Sequence, residues 1–215
     1  MMRCRWLAAA LALTLVTHRA GAQHAITPFG TGSIVEQRVR LAGEVERVAG
    51  GLWGAGATVV MSDWLSLRGR VASGTLSGRT SGAESRSMAE GELLVILVPD
   101  RWISLDAGAL VRTMETSLAR QRWVELRTGA DFGLDIIEGS LRGTVRLSIA
   151  PSVSVSGHRA PDLALGAGTG LEYSAGRLLA NLAYTLERYD FPAEGGAARL
   201  EQRSVLTARV GWRVR

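Results

Sequence analysis

Apolar and polar side chains alternate along ten successive stretches of this chain. A period of two places neighbouring residues on opposite faces of a β-strand. The first strand is predicted from Ile34 to Val48, with Val35, Val39, Leu41 and Val45 on one face and Glu36, Arg38, Arg40, Glu44 and Glu46 on the other. A tight Ala49-Gly50-Gly51 link leads to a second, where Trp53, Ala55, Ala57, Val59 and Met61 oppose Gly54, Gly56, Thr58 and Ser62. In the third, Leu65, Leu67 and Val71 alternate with Ser66, Arg68 and Arg70. The fourth sets Ala89, Gly91, Leu93, Val95 and Leu97 against Glu90 and Glu92, although Leu94 and Ile96 blur its second half. Ile103, Leu105, Ala107, Ala109 and Val111 of the fifth oppose Ser104, Asp106, Gly108 and Arg112.

The sixth is the clearest, with Val124, Leu126, Ala130, Phe132, Leu134 and Ile136 against Glu125, Arg127, Asp131 and Asp135. Leu141, Val145, Leu147 and Ile149 then oppose Arg142, Thr144, Arg146 and Ser148. The eighth stretch alternates Leu163, Leu165, Ala167, Leu171 and Tyr173 with Gly166, Gly168, Gly170 and Glu172. In the ninth, Leu178, Ala180, Leu182, Tyr184 and Leu186 face Asn181, Thr185 and Glu187. Leu206, Ala208, Val210, Trp212 and Val214 oppose Thr207, Arg209 and Arg213 in the last. Links after the second, fourth, sixth and eighth strands are short. Those after the third, fifth, seventh and ninth read as longer loops, including residues 76–86, 156–162 and 190–201. The pattern predicts an all-β fold, a single antiparallel up-and-down barrel of ten strands. Eight strands follow if two weaker segments are not strands.

Alternation alone also fits a soluble barrel turned inside out. Three features favour a transmembrane one. One face carries many charges while the other is almost free of them. The strands approach the roughly 9–11 residues that cross a bilayer at a tilt. Aromatics gather near strand ends, and Trp53, Tyr173, Tyr184 and Trp212 in the apolar phase are read as an interfacial girdle.

The N-terminus reads as an export signal. Arg3 and Arg5 precede an apolar run from Trp6 to Val16, and Ala20-Gly21-Ala22 supplies small residues for cleavage near Ala22. That run is too short for a membrane helix, which needs about 20 residues. The expected domains are residues 1–22 as signal peptide and 23–215 as barrel. Cleavage removes the only cysteine, Cys4, and three arginines, so the formal charge falls from +5 to +2. A nucleic-acid partner is thereby excluded. The chain has no lysine.

By strand pattern, over nearly the whole mature length, the chain resembles small outer-membrane β-barrel proteins of Gram-negative-type bacteria. No subfamily motif carries the resemblance. It implies residence in the cell outer membrane, contact with membrane lipid and insertion by the barrel-assembly machinery. That machinery usually reads a terminal aromatic, and here Trp212 is displaced by Arg213-Val214-Arg215.

With the apolar face outward, the lumen is predicted to hold a network of paired charges. Its acids are Glu36, Glu90, Glu92, Asp106, Glu125, Asp131, Asp135, Glu172 and Glu187. Its bases are Arg38, Arg40, Arg68, Arg70, Arg112, Arg127, Arg142, Arg146, Arg209 and Arg213. Near-balance favours cross-linking, because an unpaired charge in a confined space costs several kcal/mol. The expected role is structural and non-enzymatic. Alternatives are a narrow porin-like channel for small solutes, and adhesion or ligand display by the loops at 73–86 and 190–199. A more remote one is a lipid-modifying enzyme using His158 with Ser154, Ser156 and Asp162 nearby. No catalytic, cofactor or metal site is expected; no cluster has metal-ligand spacing, and the glycine run 166–170 lacks the helix that a nucleotide loop needs.

Overall fold

The computed structural model describes residues 25–194 and 197–214, and among these, ten strands close on themselves without a helix. They are β1 (Ala25–Leu41), β2 (Glu44–Ser62), β3 (Leu65–Gly78), β4 (Arg86–Asp100) and β5 (Ile103–Glu115). There follow β6 (Arg120–Ile137), β7 (Leu141–Val155), β8 (Leu163–Ala175), β9 (Leu178–Glu194) and β10 (Ala197–Trp212). Each pairs antiparallel with its neighbours in sequence, and β1 pairs β10 from Phe29↔Gly211 to Leu41↔Arg199, so no sheet edge remains. The signal segment, residues 1–22, lies outside the described residues.

The first hairpin departs from the sequence reading. Its link is Ala42-Gly43, not Ala49-Gly50-Gly51. Both link residues are left-handed, with φ of 49° and 88°. That is the conformation a two-residue turn needs to match strand twist. Gly50 sits mid-strand against the backbone carbonyl of Thr75, where a Cβ has no room. Its lack of a side chain serves close strand approach, not a turn.

This correction carries a second. In β1 the inward phase holds Thr31, Ser33, Val35 and Gln37, with Val35 fully buried. Glu36, Arg38 and Arg40 therefore point outward. Glu36 pairs there with Arg38 and Arg47, at 2.7 and 2.8 Å. They are not lumen residues.

Of the longer links, 156–162 stands as predicted, while those predicted at 76–86 and 190–201 are shorter. The end remote from the chain termini, here the loop end, carries links 42–43, 79–85, 116–119 and 156–162 and the short β9–β10 connection. The expected 190–201 loop is largely strand, with Leu200 paired to Asp190 and Glu201 to Tyr189. Links at the terminal end are 63–64, 101–102, 138–140 and 176–177.

A bulge in β7 opposite the Leu126/Thr128 register shift changes its inward phase from even to odd numbers. Pro151, which has no N–H to give a ladder, lies in it. Beyond the bulge Val153 and Val155 are buried while Ser152 and Ser154 are exposed.

Outside, an apolar belt rings the terminal-end part of the barrel. Ile34, Leu67, Val71, Leu93, Leu134, Leu147, Leu182 and Val210 belong to it. About eight to ten residues of each strand lie in this belt, roughly 25 Å of height once the strands tilt. Above it the outward phase turns polar. It passes through Ser73, Thr75 and Ser77 on β3, Arg120 and Arg122 on β6, and Arg188 and Asp190 on β9.

Candidate functional site

Successive inward positions stack along each strand, so residues two apart share the lumen. This places Glu90 with Glu92, Glu125 with Arg127, and Arg68 with Arg70. From the loop end downward the lumen has three layers.

The top layer is apolar. Val35, Val48, Leu52, Leu76, Met88, Met114, Trp123, Val153, Val155 and Phe191 form one packed cluster, with Ala83 of the 79–85 link against it. Trp123 stands edge-on to Tyr189 and Phe191, ring centres 5.1 and 5.8 Å apart. Packing of this kind leaves little room for water at the loop end.

Beneath the plug lies a cage of eight charges. Arg112 reaches Glu90 at 2.8 Å, Glu187 at 3.1 Å and Glu125 at 3.5 Å. Arg127 reaches Glu187 at 2.9 Å, Glu92 at 3.3 Å and Glu125 at 3.4 Å. Arg203 joins Glu90 at 2.6 Å and Glu187 at 3.3 Å, and Arg70 lies 3.6 and 3.5 Å from Glu90 and Glu92. Four arginines thus balance four glutamates. The Tyr189 hydroxyl donates toward Glu125 at 3.1 Å and Glu187 at 3.2 Å, tying the cage to the plug. The Glu125 side chain is 0% exposed and that of Arg112 is 3%. Such burial is tolerable only because every charge has opposite partners. Bidentate guanidinium geometry suits a shared cage better than an ammonium would.

The third layer is open. A cavity of about 480 Å³ runs below the cage and meets another of about 380 Å³ toward the terminal end. Both are lined by Phe29, Arg68, Arg142, Glu172, Asn181 and Arg209. Arg146 clamps Asp106 with both terminal nitrogens at 2.7 and 2.8 Å and holds Asp131 at 2.6 Å. Asp135 and Arg213 line the lower cavity. Arg142 lies across Gly133, where any Cβ would collide with its guanidinium.

Sequence reasoning passed over Arg203, Glu201, Gln37 and Tyr189, all buried in the lumen. The first two continue the odd-numbered phase of Thr207 and Arg209, a signal hidden because 190–201 reads as a loop and the alternation of the last strand is marked only from Leu206. Gln37 carried no charge to mark it. Of the aromatic girdle, Tyr173 and Trp212 lie near the terminal rim, beside the links that carry Trp64 and Trp102. Trp53 covers Gly32 at the belt's upper border, and Tyr184 sits within the apolar wall, not at a rim. In the 156–162 link, the Ser156 hydroxyl accepts from the Arg122 amide at 2.8 Å, and His158 Nε2 lies 2.8 Å from Arg199. Ser154 faces out.

Several solved outer-membrane barrels share this architecture. The β domain of the Bordetella autotransporter Brka matches with a TM-score of 0.50 at 13% identity, covering 87% of this chain and 98% of that one. The translocator domain of the autotransporter NalP from Neisseria meningitidis has a TM-score of 0.45 at 11% identity, covering 96% and 93%. Neisserial surface protein A has a TM-score of 0.40 at 10% identity, covering 86% and 96%. Neither a protein-family model nor a curated protein matches the sequence. The likeness is one of fold, a closed antiparallel up-and-down barrel of the outer-membrane kind.

Proposed function

We propose that this chain resides in the bacterial outer membrane as a structural barrel whose lumen is sealed toward the loop end and open toward the chain termini, and that it works without catalysis. The observation that carries the sealed reading is the apolar plug standing directly on a neutral cage in which every charge has an opposite partner. A hydrated ion would have to displace packed side chains around Trp123 and then break several ion pairs. The apolar belt supports the membrane placement, because exposed leucine and valine on this scale are solvated by lipid and not by water. Membrane lipid and the assembly machinery are the partners this reading requires. Links of two to seven residues at the loop end give adhesion or ligand display little surface, which favours the structural reading over it.

Single-channel recording on the mature chain in planar bilayers tests this, with heat-dependent gel mobility reporting that the barrel is folded. Folded protein that carries no steady current is the expected result. A steady open-channel current overturns the seal. Protein that stays folded and monomeric without detergent overturns the membrane placement.

A further inference from the structure

The cage arginines each touch two or three carboxylates, whereas around the open cavities only Arg146 does. Outside the cage, six arginines (Arg68, Arg101, Arg142, Arg146, Arg209, Arg213) and four carboxylates (Asp106, Asp131, Asp135, Glu172) line the two cavities, a surplus of two positive charges. Asp106 and Asp131 are already held by Arg146. Among the described residues Arg68, Arg142 and Arg213 make no ion pair, and Arg68 has only the Thr58 hydroxyl at 3.4 Å. Arg209 lies 3.8 Å from Glu172 and is steadied by the Phe29 ring, 5.4 Å from its guanidinium carbon. Beside it, across the β1–β10 ladder, Thr31 presents a buried hydroxyl with no hydrogen-bond partner.

We propose that this chamber binds a doubly charged oxyanion, inorganic phosphate or a phosphomonoester, with Arg68, Arg142 and Arg209 as its principal ligands. The three come from β3, β7 and β10, which lie on separate parts of the wall, so their donors converge on one volume from several directions. A tetrahedral dianion accepts such converging donors, whereas a planar carboxylate is served by one guanidinium fork. Two surplus positive charges match two negative ones. The Thr31 hydroxyl supplies a further donor, and the volume is that of an ordinary small-ligand pocket. Entry is from the terminal end, which rests on the seal proposed above; conductance reads that seal and phosphate binding reads this site, so the two fail separately.

Titration of inorganic phosphate into the mature chain, folded in a detergent free of phosphate, is the test. Saturable binding by calorimetry is expected, with glycerol 3-phosphate competing. Arg68→Gln and Arg209→Gln each weaken it about tenfold or more, as loss of one charge-assisted hydrogen bond does. Arg188→Gln, on the outer face, leaves it unchanged. Melting supplies the second readout: phosphate raises the melting temperature of the wild type and not of the double variant, which without phosphate melts no lower than wild type because like charges have been removed. No saturable binding, equal binding by the double variant, or succinate binding as tightly as phosphate overturns the assignment.

Discussion

At the loop end Val48, Leu76 and Trp123 are buried inside the barrel while Thr75, Ser77 and Arg122 face outward. Toward the chain termini the arrangement is reversed: Arg68, Arg146 and Arg209 line the lumen while Leu67, Leu147 and Val210 face outward. The same strands run through both regions. One is built like a soluble barrel, with its core inside, and the other like a membrane barrel, with its apolar surface in contact with lipid. The charge cage marks the crossover. A period of two fixes that faces differ; which face is apolar depends on the solvent outside at that height.

The largest expected effect breaks the crossover itself. Arg112→Met leaves Glu90, Glu125 and Glu187 short of a shared partner and costs about 3–5 kcal/mol, as removal of one member of a buried ion network does. Urea unfolding in detergent measures it. Arg38→Met, which removes an outward ion pair, costs at most about 1 kcal/mol. Equal losses would mean that the cage is no more than a surface network.

Next in size is a paired insertion of charge on the outer wall. Leu147→Arg, in the belt, costs about 2–4 kcal/mol, whereas Thr75→Arg, in the polar collar, costs close to zero on the depth dependence of barrel proteins. Similar costs at both positions would erase the boundary drawn between the two regions.

The smallest effect concerns the loop end alone. Glu84 accepts hydrogen bonds from the Ser117 hydroxyl and, at 3.2 Å, the Ser117 amide, joining the 79–85 and 116–119 links. The Ser117 hydroxyl, chiefly, holds the Glu84 carboxyl below its ordinary value. A lowered value stabilises the clasp above the ordinary carboxylate range, and that contribution is lost as pH falls through the lowered value. Protection of the amides in the two links, taken as the exchange rate relative to its intrinsic value at each pH, is expected to fall on acidification, with protection elsewhere unchanged, and Glu84→Gln to remove this pH dependence. Link protection that ignores pH in the wild type sinks the clasp.

The strand count, antiparallel order and inward phase of β2 to β6 and β8 to β10 were legible in the sequence, because within the belt the apolar and charged faces are unmistakable. Legibility failed where the crossover falls inside a strand. In β1, Val35 and Val39 follow the apolar phase yet lie inward, since they stand at and above the upper border of the belt, where the lumen is apolar. The alternation therefore places Glu36, Arg38 and Arg40 on the wrong face. The Gly50-Gly51 pair imitated a turn because close strand approach and tight turning both demand glycine. Leu94 and Ile96, which blurred the fourth strand, are inward apolar residues beneath the cage. Pairing within the cage was not legible, since contacts across the lumen depend on barrel diameter and strand stagger, which no single strand encodes.

The Arg203–Glu90 contact spans the lumen, tying β10, one side of the closing seam with β1, to β4 on another part of the wall. It acts as a cross-brace, loaded in tension whenever the seam tries to part. Peeling β10 from β1 would strip ladder hydrogen bonds and, in the same motion, pull a guanidinium out of a dry pocket. A barrel braced in this way resists flattening and sideways opening, so its wall behaves as a rigid hoop, and any molecule that enters must come along the axis.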